Sequence, residues 1–144
     1  MAGTGAGIGL TSMGLPSGGG PEEVVPVCAR AKDLQTRSGI TLTPEAMAAF
    51  RRAEDLAGRE IDVVESYRSC RRQARVCTRI CGDRRGCPGM CAPPGLSWHQ
   101  RGAAIDITEA MLATPGVTEA LERAGWCQAV PENDPGHFSF GGCH

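Results

Sequence analysis

Long apolar runs, net charge and aromatic side chains are all scarce in this 144-residue chain. No stretch approaches the roughly eighteen consecutive apolar residues of a spanning helix, so no segment is expected to cross a membrane. A formal net charge of −1 argues against nucleic acid as a partner. Aromatic residues make up 4% of a chain that is 41% hydrophobic, so the core of its single domain is modest and gains from cross-links. A secretory leader is missing too: Met1-Ala2-Gly3-Thr4 runs into glycines, where a leader has a basic stretch and then an apolar run.

Cysteine is abundant instead. Cys28, Cys70, Cys77, Cys81, Cys87, Cys91, Cys127 and Cys143 form an even set in a small chain. Such a set implies a disulfide framework and an oxidising compartment, without choosing the connectivity. Cysteine usage and the missing leader conflict. The expectation that reconciles them is a signal or membrane anchor trimmed ahead of Met1, leaving a secreted or cell-surface protein that meets a membrane only through that anchor. It is expected to be a monomer.

Eight of the first twenty residues are glycine, so residues 1–26 read as a flexible tether and residues 27–144 as the folded domain. Thr43-Pro44-Glu45 starts a helix in which Met47, Ala48, Phe50, Ala53 and Leu56 recur at helical spacing until Gly58. Ile61 to Glu65 is β-branched and strand-like, and an Arg-rich helix is expected from Ser69 to Ile80. Gly82 to Pro94 is an irregular loop, and Ala103 to Ile107 a central strand. Thr114-Pro115 repeats the helix-start signature ahead of Val117, Leu121 and Ala124. Trp126 to Val130 and His137 to Phe140 are expected to pair as antiparallel strands, with Cys127 and Cys143 placed to bridge them. His144 is expected to be disordered or the remnant of a tag. The sum is an α+β domain with a small antiparallel sheet flanked by helices and stapled by disulfides.

Two of the three histidines sit beside carboxylates. Ser97-Trp98-His99-Gln100-Arg101-Gly102-Ala103-Ala104-Ile105-Asp106 is followed by Asp134-Pro135-Gly136-His137-Phe138. Two imidazoles and one carboxylate are a common ligand set for a catalytic zinc that keeps one position open. Asp134, three residues before His137, is placed to act as a general base. Seven residues separate His99 from Asp106, an odd offset that a flat strand would put on opposite faces. Gly102 lets the chain bend between them.

Three motifs in order carry a family resemblance. Ser97-x-His99-x-x-Gly102-x-Ala104-x-Asp106 resembles the signature of the LAS zinc metallopeptidases, Ser66-Tyr67-Arg68-Ser69 resembles their Tyr-Arg motif, and Asp134-x-x-His137-Phe138 resembles their closing motif. The resemblance implies the hedgehog/DD-peptidase fold and a Zn2+ held by His99, Asp106 and His137. It gives Asp134 the role of base and Arg68 that of a cation holding the scissile carbonyl or a substrate carboxylate. Ser97 and Tyr67 join Arg68 as substrate-side residues, with Ser97 equally suited to holding the His99 loop. The implied substrate is the stem peptide of peptidoglycan, and the implied activity D-alanyl-D-alanine carboxypeptidase. Asp134 and Gly136 stand where carboxypeptidase relatives carry Glu and Trp. That departure keeps open an endolysin-type L-alanyl-D-glutamate endopeptidase and an inactive cell-wall or protein-binding module with a structural zinc.

The cysteine-rich stretch between Arg68 and His99 lies outside the family pattern. Cys77-x3-Cys81 and Cys87-x3-Cys91 superficially resemble a four-thiolate zinc site, the basis of a cytosolic zinc-ribbon reading. Disulfides across the loop account for the same residues more simply in an oxidising setting. The arginines at 71, 72, 75, 79, 84 and 85 read as a solvated face with a weak pull on anionic wall polymers.

Overall fold

A computed structural model of the chain describes residue 31 and residues 33–144. The glycine-rich stretch 1–26 and Cys28 lie outside the described residues. Gln35–Arg37 (β1) and Ile40–Leu42 (β2) form a hairpin across Ser38-Gly39, both at positive φ, the backbone a tight two-residue turn requires. This hairpin is absent from the sequence-based expectation: β1 is exposed throughout and carries no apolar alternation.

Pro44–Ala57 (α1) starts where Thr43 and Pro44 predict, with the Thr43 hydroxyl accepting from the Ala46 amide and Gly58 closing the last turn at φ 70°. Ala46, Met47, Phe50 and Ala53 are its buried face. The Glu54 carboxylate accepts from the Ile61 amide at 2.9 Å and sets the path into Val63–Glu65 (β3), shorter than the apolar run that announces it. Ser69 caps Cys70–Cys81 (α2), whose inward face holds Gln73 and Cys77. A single 3-10 turn, Trp98–Arg101, leads into Ala104–Ile107 (β4).

Two short helices follow, Glu109–Leu112 (α3) and Val117–Arg123 (α4). Here the Thr114-Pro115 expectation is corrected. The Thr114 hydroxyl donates back to the Ala110 carbonyl at 2.8 Å, so it closes α3, and α4 begins after Gly116 without a side-chain cap. Thr108 supplies the earlier cap by accepting from the Met111 amide. Trp126–Cys127 (β5) and His137–Phe140 (β6) pair as expected, although β5 ends well short of Val130.

The main sheet runs β3-β4-β6-β5, antiparallel throughout. Alternation along its strands divides its two faces. Ile105, Ile107, Phe138 and Trp126 join Met47, Phe50, Val117 and Leu121 in the core under α1 and α4. Full burial of a side chain such as Phe138 stabilises the fold by about 1.5–3 kcal/mol. Asp106 alternates with Ile105 and Ile107, and His137 with Phe138, so both fall on the face away from that core. The register pairs Asp106 directly with His137.

Three disulfides lie wholly among the described residues: Cys77–Cys91, Cys81–Cys87 and Cys127–Cys143. Cys70 is disulfide-bonded as well, and no described cysteine is free. The first two bonds cross the Gly82–Pro94 loop, and the third ties β5 to the segment that follows β6. With every described thiol oxidised, the four-thiolate reading has no ligands. No described helix is long and apolar enough to cross a membrane.

Candidate metal centre

His99 reaches the site because the chain turns sharply on both sides of it. The Ser97 hydroxyl accepts from the His99 amide at 3.3 Å, and Gly102 ends the turn at φ 71°. A Cβ at Gly102 would stand 2.7 Å from the Leu34 side chain and 3.1 Å from the Thr43 amide nitrogen, so glycine serves both conformation and close approach. This bend brings a turn histidine and a strand aspartate together despite their odd spacing. The His99 ring is buried, and its Nδ1 lies 2.7 Å from the Ser66 carbonyl. That contact requires a proton on Nδ1 and turns Nε2 toward Asp106 Oδ1, 3.4 Å away.

His137 meets the same carboxylate oxygen from the neighbouring strand, with its Nδ1 at 3.2 Å. Its Nε2 donates to the backbone oxygen of His144 at 2.9 Å. The two rings stand 5.2 Å apart at 56°. One ligand atom from each of His99, Asp106 and His137 lies within 4.8 Å of the others. Two borderline nitrogens and a carboxylate oxygen at that separation, with each histidine's outer nitrogen fixed by a carbonyl, are a donor set that fits a zinc-type ion.

The electrostatics match. Burial works to raise the Asp106 carboxyl, but hydrogen bonds from His137 and His99, and their charges, hold it well below the usual carboxylate range. Burial also opposes charge on His137, yet its bonds to Asp106 and the His144 oxygen, with the charges of Asp106 and Asp134, raise its affinity for a proton. Asp134 is pushed upward by partial desolvation and by the nearby Asp106 charge. It occupies an exposed turn in which its carbonyl accepts from the His137 amide at 3.1 Å. Gly136 in that turn is a contact glycine: a Cβ there would lie 2.5 Å from the Ile107 carbonyl oxygen of β4.

Arg68 reaches Asp106 Oδ2 at 3.9 Å and Glu65 at 3.8 Å, and its Nε is buried without a hydrogen-bond partner among the described residues. Its amide donates to the His99 carbonyl at 3.0 Å, tying the two motifs by main chain. Tyr67 is anchored by its amide on the Thr41 carbonyl. Ser97 is buried, and its hydroxyl holds the His99 turn.

Sequence reasoning passed over Gln73, gave Ser66 no role beyond its place in the Tyr-Arg motif, and gave His144 none. Gln73 is buried beneath Arg68, accepting from its guanidinium at 2.7 Å and donating to the Ala92 carbonyl at 2.9 Å. A signal existed, since Gln73 and Cys77 are four residues apart on one helix face amid exposed arginines. The contact of Ser66 is made by its carbonyl, which no residue type announces. His144, expected to be disordered or a tag remnant, is packed: its ring stacks on Trp98 at 4.2 Å, and its amide donates to Ser139 at 3.0 Å.

Comparison with known proteins follows the same lines. The family of VanY, D-alanyl-D-alanine carboxypeptidase, matches residues 40–140. Among solved structures, the LdcB LD-carboxypeptidase is 25% identical with a TM-score of 0.63, over 81% of this chain and 72% of that one. The vancomycin-resistance D,D-pentapeptidase VanY, solved as a variant with Zn(II), is 20% identical with a TM-score of 0.60, over 76% and 79%. VanYB in complex with D-alanine-D-alanine is 19% identical with a TM-score of 0.58, over 80% of each chain. No curated protein matches by sequence.

Proposed function

Because this chain belongs to the VanY D-alanyl-D-alanine carboxypeptidase family, we propose that it is a zinc-dependent peptidoglycan peptidase removing the terminal D-alanine of stem peptides. The observation that carries this reading is the convergence of His99, Asp106 and His137 within 4.8 Å beside Arg68. VanYB in complex with D-alanine-D-alanine and VanY in complex with Zn(II) share the fold and support the choice of substrate and metal. Its proposed cell-wall substrates and its disulfides support a secreted or cell-surface location.

His99 through Nε2, His137 through Nδ1 and Asp106 through Oδ1 would hold the ion. When bound, zinc polarises a carbonyl and makes water a nucleophile at neutral pH. Asp134 takes the proton from the attacking water and returns it to the departing D-alanine amine. Arg68 presents a fixed positive charge to the oxygen that becomes negative, and Gln73 and Glu65 restrain the guanidinium so that little reorganisation is needed. Residues 27–144 supply this machinery and residues 1–26 a tether.

The test is zinc quantification on oxidised protein, followed by incubation with muropeptides ending in D-Ala-D-Ala and mass spectrometry of the products. One zinc per chain and loss of D-alanine are expected, with zinc lost in His99→Ala and retained in Asp134→Ala. Asp134 and Gly136 favour a second reading, in which cleavage follows L-alanine. Release of D-alanine from tetrapeptides alone would give the chain the specificity of an LD-carboxypeptidase. Zinc without any cleavage would make it a binding module.

A further inference from the structure

After β6 the chain folds back on itself. Gly141 and Gly142 both have positive φ, 87° and 154°, and a Cβ at Gly142 would stand 2.7 Å from Nε2 of the His144 ring. The buried Ser139 hydroxyl donates to the Gly142 carbonyl and accepts from the His144 amide. Cys143 is bonded to Cys127 of β5. The His144 ring stacks on Trp98 at an interplanar angle of 6°, and the Arg101 guanidinium lies 4.9 Å from the centre of the Trp98 ring. The backbone oxygen of His144 accepts the proton of His137 Nε2.

This hook touches both halves of the metal centre. Its ring lies on the neighbour of His99 and its backbone on His137. A neutral imidazole has one lone pair, and which nitrogen carries it is decided by where the proton is held. Carbonyls that hold the outer proton of a ligating histidine fix its tautomer and orientation, and losing such a partner costs roughly 10–100-fold in metal affinity. His99 has its carbonyl from Ser66, beside the core. For His137 the backbone oxygen is carried by a segment held, among the described residues, by a disulfide, one serine and one aromatic stack.

We propose that residues 141–144 are a positioning element for the metal centre, holding the His137 ring by its Nε2–H so that Nδ1 faces Asp106 and the ion. Cys127–Cys143 and the Trp98–His144 stack then set metal affinity without contributing a ligand. The inference rests on the zinc reading above.

The experiment compares wild type, His144→Gly, Trp98→Ala, Cys127→Ser/Cys143→Ser and His144→Phe. Zinc affinity is read by competition with a chromogenic chelator. The hydrogen bond of His137 Nε2–H is read by nitrogen-15 NMR of the metal-free protein at mildly acidic pH, where both ring nitrogens carry protons, as protection of that proton from exchange, with far-UV circular dichroism as the check on folding. Removing the stack or the disulfide is expected to weaken zinc by about 10–100-fold and to release the Nε2 proton to exchange, with the fold retained. His144→Phe keeps both the stack and the backbone oxygen, so it is expected to bind like wild type. Unchanged affinity and protection in His144→Gly and the double cysteine variant would overturn the inference. Failure of wild type to bind zinc would overturn the metal reading instead, while the exchange measurement still decides whether the hook holds His137.

Discussion

The two histidines of the site satisfy one chemical demand by different means. His99 sits in a capped turn, its ring buried and its outer nitrogen fixed by the Ser66 carbonyl, which lies in the same motif stretch as Arg68. His137 sits on a sheet strand, registered against Asp106, with its outer nitrogen fixed by a segment that returns from beyond the strand. The first half is held by core and local main chain. The second is held by a hook. In the zinc reading, orientation of the proposed ligands is thus built into the core fold on one side and added by a cross-linked appendage on the other.

The largest effects should not distinguish the halves. His99→Ala and His137→Ala each remove a proposed ligand, so zinc loss is expected to exceed the roughly 10–100-fold set by outer partners. Dialysis against a weak chelator followed by metal quantification checks this. Asp134→Asn comes next and separates chemistry from metal binding. It is expected to lower kcat by about 10²–10⁴-fold with zinc stoichiometry unchanged, as measured on a D-Ala-D-Ala muropeptide. A variant that lost zinc as well would place Asp134 among the ligands.

The asymmetry also explains what the sequence made legible. His99, Asp106, His137 and Arg68 were readable as neighbours because each lies in a short motif with fixed spacing, and alternation along β4 and β6 sends Asp106 and His137 to one face. The disulfides across 82–94 and between the last strands were readable from cysteine placement around loop and strand signals. Contacts made by backbone carbonyls were not, since Ser66 and His144 act through atoms that every residue possesses. Gln73 was hidden among arginines because burial of a polar side chain depends on the Ala92 loop folding over it. The hairpin of β1 and β2 escaped because β1 is exposed throughout and lacks an apolar face. The start of α4 was misplaced because Thr114 had two possible partners, and its hydroxyl served the preceding helix.

A smaller effect tests how the second half is seated. Gly136 presses on the Ile107 carbonyl, and Ile107 in turn donates its amide to the Gly136 oxygen at 2.9 Å. Gly136→Ala forces its methyl group against that backbone and is expected to cost about 1–3 kcal/mol. Thermal unfolding of the metal-free protein should show the loss, with His137 displaced relative to Asp106. The corresponding change in the first half, Gly102→Ala, should cost at least as much, because it adds a left-handed backbone conformation to a similar steric clash. If Gly136→Ala proves neutral, the turn carrying Asp134 is looser than its contact with β4 implies.

The gentlest probe is the proton. Asp106 is held below the usual carboxylate range, so it is ionised at any pH where the protein would bind metal and contributes no slope. His137 is shifted the other way: burial favours the neutral ring, but its bonds to Asp106 and the His144 oxygen, and the charges of Asp106 and Asp134, outweigh that preference. Zinc must displace the proton from His137 Nδ1. Below the raised pKa, affinity therefore falls by about tenfold per pH unit from this residue; above it, His137 adds no pH dependence. The break in log affinity against pH is expected above the ordinary histidine value in wild type. In His144→Gly, where the acceptor on Nε2 is no longer pinned, that break should move to lower pH even as affinity at high pH weakens. The proton and the metal then respond to the hook in a linked way: the same carbonyl that makes the free ring more basic also keeps its lone pair aimed at the ion, and only the second effect survives once the ring is neutral.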